Sequence, residues 1–470
     1  MSRRFAISGL AAVVVLSIPA RSAQARTRPH YGGTLRVEIS GDPLQSLRPG
    51  SGESSGQGSG QGSDGLARRL VLDGLTALTS AGDVEPALAV SWSQDDAAHR
   101  WQFRLRPGVH FQDGSPLTAD AVVASLNLAC ASGCPWSAVH AVGPSVVFTA
   151  DSPLPNLPAL LAGDRFLIGL AVGQNGQAPP NPVGTGPFAV ASSANGVLTL
   201  AANAGNWRGR PFVDTIQIVA HRALRDQWLD LSLGRADLVE VPPERLRQAH
   251  QQQFTVLQSP PVTLLALQVS SSGALSSPAL RASIAQAVDR SALSNVIFQK
   301  QGAIAASLLP QSLSGYAFLF PTARNLEQAR ALRGGLSAPP LALAVDGDSA
   351  MQLAAQRIAL NLRDAGFTVR VVSAASSPHP DLALVRLPLA GSAPPAVLET
   401  LLRSAGISES VVAQDSTALY KTERDVLALH TLIPLLDLPR AYAIGGRVRD
   451  LRLRADGTPD LANASLEDAP

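Results

Sequence analysis

One stretch limits the fold more than any other: RWQFRLRPGVHFQDGSPLTADAVVASL, residues 100–126. Trp101, Phe103 and Leu105 alternate with Gln102, Arg104 and Arg106. A strand puts successive side chains on opposite faces, so the alternation predicts a half-buried strand. Pro107-Gly108 turns the chain, Val109 and Phe111 resume the alternation, and Asp113-Gly114 turns it again. Thr118 is placed to cap a helix, and Asp120 sets a negative charge near that helix's positive end. Ala121, Val122, Val123 and Leu126 follow at helical spacing. The unit reads β–turn–β–turn–α. It holds no nucleophile with a base beside it, so it reads as scaffold.

With 470 residues the chain exceeds one ordinary core, and two or three domains are expected. Hydrophobic residues make up 46% and charged residues 16%, a composition that folds. The 38 basic residues are arginines apart from Lys300 and Lys421, and 36 acidic residues oppose them. No dense basic stripe with interleaved aromatics occurs, which argues against a nucleic-acid partner.

Residues 1–25, MSRRFAISGLAAVVVLSIPARSAQA, carry Arg3 and Arg4, an apolar run and an Ala23-Gln24-Ala25 end. That is the layout of a cleavable secretory signal. Ser8, Ser17 and Pro19 interrupt the run and speak against a permanent membrane helix. Its removal takes away three arginines and no acid, leaving 35 basic against 36 acidic residues. No Cys follows the run to carry a lipid, so the mature chain is expected to be exported and soluble. Cys130 and Cys134, in LACASGCPW, are expected to form a local disulfide in an oxidising compartment, with two quiet core thiols as the alternative. A metal site would need more ligands than His140 alone supplies, and no metal or cofactor is expected.

Residues 50–65, GSGESSGQGSGQGSDG, contain two motif matches. Gly52–Gly56 fits the hydrolase elbow around Ser54, and Gly60–Gly65 fits G-x-G-x-x-G. Both need a strand before and a helix after them, and neither is predicted there, so the tract reads as a flexible loop. Further along, residues 70–78 read as a short helix, 263–270 as a buried-type strand and 277–299 as a long helix capped by Ser277. Residues 340–347, 351–367 and 368–374 read as a right-handed β–α–β unit. Alternating strands and helices argue for α/β lobes with mixed sheets. The histidines are scattered singly, and no Ser/His/Asp or paired-carboxylate arrangement is visible.

Taken in order, nine segments resemble one family. They are YGGTLRV, LVLDGLTAL, VEPALAVSW, WQFRLRPGVHFQDGSPLTADAVVAS, VGTGPF, NWRGRPFVDTI, GRADLVEVPP, LRASIAQAVDRSAL and QRIALNLRDAGFTV. The family is the extracellular solute-binding proteins, family 5, of ABC importers, and the resemblance covers residues 31–445. It implies an α/β bilobal periplasmic-binding-protein clamp with mixed sheets. The first lobe would be discontinuous, 31–75 plus 183–264 plus 434–470, with a small domain, 76–182, inserted in it. The second lobe would be 265–433, with hinge strands near 265–269 and 433–436. A peptide or other small polar solute would bind between the lobes, and closure would follow. The partner would be an inner-membrane ABC permease, and the protein a periplasmic monomer, not an enzyme.

The resemblance also marks departures. Peptide-binding relatives carry a Trp-x-x-Asp-type segment in the second lobe, whose Asp pairs with the ligand's amino end. Residues 381–402 have no Trp and no Asp after Asp381, and Arg386 occupies that neighbourhood. The family's Leu-Asp-Pro is Leu47-Arg48-Pro49 here. An unpaired Arg386 or Arg48 in a cleft would favour a carboxylate or phosphate, whereas Arg386 could also be an outward strand residue. Tyr316 could line the cleft or sit in the core. Two other functions stay open, a non-transporting sensor or docking protein on the same fold and an exported hydrolase using Ser54.

Overall fold

The apolar run TLLALQV (263–269) has no polar face to offer solvent, which suits a strand covered on both sides. It ends the strand Thr255–Val269, in which Leu264, Leu265, Ala266 and Leu267 are fully buried. This strand pairs antiparallel with Leu432–Ile444. The computed structural model describes residues 30–43, 47, 65–130, 133–171, 173, 177, 179, 181–316, 319–336, 339–377, 379–389, 391–407, 411 and 415–467. The expected leader, Arg48, Ser54 and nearly all of the 50–65 tract lie outside them.

These two crossing strands sit at the middle of an 11-stranded mixed sheet, whose short strand Ala303–Ile304 pairs with Leu432–Ile444 off the main order. On one side lie Leu382–Pro388, Leu341–Val345 and Val369–Val372. On the other lie Leu238–Glu240, Thr34–Glu38, Thr215–Val219, Val197–Ala202 and Phe188–Ala194. Each half has its own apolar core on both faces, which makes two lobes of one sheet. The fold is thus α/β and bilobal, with parallel and antiparallel pairs mixed. Pro260 and Pro261 lie in the first crossing strand and Pro434 and Pro439 in the second. Proline cannot donate to a ladder, and the register slips between Gln258 and Pro261, between Pro261 and Thr263, and between Leu265 and Ala266. A β–α–β unit forms there: parallel strands Leu341–Val345 and Val369–Val372 flank the helix Ser349–Asp364.

The stretch that opened the sequence reading builds a separate four-stranded antiparallel sheet of Ala89–Gln94, Arg100–Leu105, Ser145–Thr149 and Ala138–Val142. Arg100–Leu105 alternates exposed and buried along its length. Thr118 caps the helix Ala119–Ala129 by accepting the Ala121 N–H at 3.2 Å. Val109 and Phe111 are buried, but instead of a second ladder only an isolated His110–Pro116 bridge forms, because the two turns leave too few residues to pair. Cys130 and Cys134 are joined as a disulfide just past that helix, with Cα atoms 5.2 Å apart.

Two helix readings are corrected. Residues 70–78 split into a helix, Leu66–Val71, and a strand, Thr76–Leu78, hairpinned to Val84–Pro86. Gly74 is the break, where a Cβ would lie 2.6 Å from the Thr76 carbonyl. The long helix at 277–299 stops at Ala287; Val288 is extended, and Asp289 caps a new turn through the Ala292 N–H. Ser277 precedes the first helix without a side-chain capping bond.

Gln112 ties the four-stranded unit to the large sheet. Its amide donates to Val71 O at 3.0 Å and Phe188 O at 2.6 Å and accepts from Gly184 N at 2.9 Å. Replacing it by Ala would take the acceptor from the Gly184 N–H and remove a donor from Phe188 O and from Val71 O, the last of which keeps the Gly186 N–H at 3.0 Å. Gln112→Ala is therefore expected to destabilise the fold by about 2–3 kcal/mol, read as a lowered midpoint in thermal unfolding.

Candidate functional site

The strand directions define a crevice. Leu238–Glu240 runs antiparallel to Leu432–Ile444, and Leu382–Pro388 runs antiparallel to Thr255–Val269. Because the two crossing strands are themselves antiparallel, the carboxyl ends of the two lobes' parallel strands face each other across them. Open α/β sheets bind ligands outside strand carboxyl ends, so the groove between the lobes is the candidate site.

The lobes approach closely along it. Ser392 N donates to Gly82 O at 2.9 Å, and Ser392 Oγ donates to Asp83 Oδ1 at 2.6 Å. Gly82 is required here: its φ is +92°, and a Cβ would lie 2.6 Å from Ser392 N. Asn156 Nδ2 donates to Glu399 Oε2 at 3.1 Å, and Glu399 is held by Arg403 at 2.7 Å. Arg247 Nη2 reaches Gln299 O at 3.5 Å. The charges of Asp348 and Arg386 in the second lobe also act on Glu244 of the first, and burial, then the Asp348 charge, raise its carboxyl above the usual range.

Arg386 lies on Leu382–Pro388, registered with Leu265 of the first crossing strand. Its Nη2 donates to Asp348 Oδ2 at 2.9 Å, with 13% of the Arg386 side chain exposed. The cation is therefore at the crevice and already paired. Tyr316 points into the second lobe, where its hydroxyl donates to Glu423 and its ring packs on Tyr420 at 5.4 Å between centroids. Glu423 also accepts the backbone N–H groups of Leu308 and Leu309. Burial raises its carboxyl above the usual range despite these three donors. Among the described residues no group of three or more His, Cys, Asp or Glu side chains could hold a metal ion.

Sequence reasoning did not single out Glu244, Asp348, Glu423 or Asp437. Asp437 left a signal, an acid inside the apolar run LIPLLDLP of a buried strand. It is 5% exposed, its Oδ1 has no hydrogen-bond partner, and burial, then the nearby Glu423 charge, push its pKa up to about 7. The others left no signal, because their partners come from distant segments.

A family model described as "Bacterial extracellular solute-binding proteins, family 5 Middle" matches residues 83–408. Among curated proteins, the chain is 31% identical over 185 residues to the HTH-type transcriptional regulator SgrR of Pectobacterium atrosepticum (strain SCRI 1043), covering 37% of this chain and 31% of that protein. It is 30% identical over 195 residues to YhjP of Bacillus subtilis (strain 168), covering 39% and 32%. The match thus spans about a third of the length of these relatives. Among solved structures, the oligopeptide-binding protein AppA of Bacillus subtilis, in complex with a nonapeptide, superposes with a TM-score of 0.76 at 16% identity, covering 94% of this chain and all of that one. AgaA of A. tumefaciens R10, in complex with agropinic acid, gives a TM-score of 0.77 at 21% identity, covering 93% and 99%. These likenesses are of fold.

The Asp437 carboxyl binds its proton more tightly folded than unfolded. Its contribution to stability is complete below about pH 4, the ordinary carboxylate range, and is lost as pH rises through about 7. Asp437→Asn is expected to melt higher than the parent at pH 8, by at least about 1 kcal/mol, and to match it near pH 4. Thermal melts of both proteins at the two pH values check this.

Proposed function

The chain belongs to the bacterial extracellular solute-binding proteins of family 5, and from that premise we propose that it is the periplasmic substrate-binding component of an ABC importer. In this reading it captures a peptide or other small polar solute between its lobes and delivers it to a membrane permease. The observation that carries the reading is the crevice, two opposed sets of strand carboxyl ends spanned by two crossing strands. The proline-interrupted register of those strands supports a hinge there. We take the unit at 76–182 as a small domain inserted in the first lobe, and the Ser392–Gly82 and Asn156–Glu399 contacts as the grip of a closed clamp. Family members are binding proteins rather than enzymes, and among the described residues no helix is long and apolar enough to cross a membrane.

A closed crevice would hold a polar ligand against fixed donors and acceptors, with water filling slack around it. Arg386 stands at the strand end where such a ligand would lie, and an acidic ligand group would compete with Asp348 for its guanidinium. Arg48, replacing the family's acid, would favour the same sign of charge. Tyr316 would act indirectly, by fixing Glu423 within the second lobe. The similarity to the regulator SgrR supports a second reading, a non-transporting sensor on the same fold.

The test is a thermal-shift screen of the mature chain against peptides, organic anions, opines and sugars. A true ligand at a hundred times its Kd is expected to stabilise by about 2.7 kcal/mol, and Arg386→Ala to reduce that gain. No stabilisation by any class would overturn the capture reading.

A further inference from the structure

Two contacts tie the small unit at 76–182 to the second lobe, and both land on one short segment of that lobe. The hairpin of Thr76–Leu78 and Val84–Pro86 ends in a tight turn, in which Thr79 N donates to Asp83 O at 2.8 Å and Gly82 N to Thr79 O at 3.0 Å. The tip of this turn meets Ser392, whose N–H reaches Gly82 O at 2.9 Å and whose hydroxyl reaches Asp83 Oδ1 at 2.6 Å. The approach is backbone to backbone, since a Cβ on Gly82 would also lie 2.7 Å from the Gly391 carbonyl carbon. Further along the same segment, in the helix Pro394–Ser404, Glu399 accepts Asn156 Nδ2 at 3.1 Å. Each side of the contact is braced. Thr76 Oγ1 donates to Pro158 O at 2.6 Å, which joins the hairpin to the helix Leu157–Leu161 that Asn156 precedes. Leu398 and Leu401 bury the opposing helix in the core of the second lobe, and Arg403 holds Glu399 at 2.7 Å. By contrast, Arg247 of the first lobe reaches Gln299 O only at 3.5 Å, the outer limit of a hydrogen bond.

We propose that the small unit is the clasp of the clamp: its turn at 79–83 and Asn156 hold the segment 391–399 and so hold the lobes shut. Every group in the clasp belongs to the protein, so it favours the shut form with or without a solute in the crevice. Each of its hydrogen bonds is worth about two- to tenfold in the ratio of shut to open. Gly82 sets the fit, because a side chain there would wedge the tip away from Ser392 and Gly391. These groups act through the lobes rather than on the solute, as positioning residues. A solute that binds the shut form is held with an apparent affinity that scales with the shut fraction, so the clasp tunes affinity from outside the crevice. The segment it holds directly follows the strand Leu382–Pro388, which carries Arg386. The clasp rests on the clamp reading and adds to it which part of the chain closes the clamp.

The experiment is single-molecule energy transfer on the mature chain with no solute added. Dyes are placed through non-natural residues at Leu233 of the first lobe and Leu353 of the second, both more than half exposed. The parent is expected to be mainly shut. Gly82→Ala, which forces the tip off its partner, is expected to lower the shut-to-open ratio at least about fourfold, the effect of two lost hydrogen bonds. The double variant Ser392→Ala with Asn156→Ala, which adds no bulk, is expected to do the same. Ser392→Thr keeps the hydroxyl and is expected to keep the parent's ratio, as is Arg247→Ala, which lies outside the clasp. Circular dichroism confirms that each variant folds, and the double variant decides the matter if Gly82→Ala does not. Two distances populated in the same ratio in the parent, Gly82→Ala and the double variant would overturn the clasp and leave the clamp standing. One distance shared by every protein would overturn both.

Discussion

The antiparallel ladder between Thr255–Val269 and Leu432–Ile444 is the interaction on which the rest of the molecule depends. It serves as the middle of the large sheet and as the floor of the crevice. Its two ends pack against the cores of the two lobes. Its centre is interrupted by proline, which supplies no N–H, and by register slips. Arg290, buried in the second lobe, donates through Nε to the Pro434 carbonyl at 2.9 Å and stacks on Phe320. A ladder strong at both ends and interrupted in the middle suits a hinge that must bend without unzipping.

Charge is distributed around that ladder with little surplus. The crevice holds an arginine, but a lobe carboxylate already occupies it. Behind it, the second lobe buries Glu423 and Asp437 near one another. Glu423 is satisfied by two backbone donors and the Tyr316 hydroxyl, whereas the Asp437 Oδ1 atom has no partner. Burial favours the protonated form of both carboxyls, which makes the second lobe more stable in mild acid.

The scaffold was largely legible in the sequence, because its signals are local. Alternation in 100–105, the Thr118 cap and the β–α–β periodicity of 340–374 each depend on neighbours within a few residues. The order of nine scaffold segments carried the family resemblance, and the family match agrees with it. Local signals failed where a single residue overrode its surroundings, as Gly74 did in splitting 70–78 and Val288 in ending a helix. The site was less legible. Arg386 could be placed near the cleft, but not its pairing with Asp348, 38 residues earlier in the chain. Glu244 lies more than a hundred residues from Asp348 and Arg386, and only folding brings their charges to bear on it. Asp437 alone announced itself, as an acid in an apolar run.

The central claim is that the crevice encloses a small solute. It is tested most directly by native mass spectrometry on the mature protein taken gently from the periplasm of its own source. The account predicts a stoichiometric added mass that is released on denaturation and whose identity gives the ligand class. A bare protein mass, unchanged after incubation with small-solute extracts at mildly acidic and neutral pH, would contradict it.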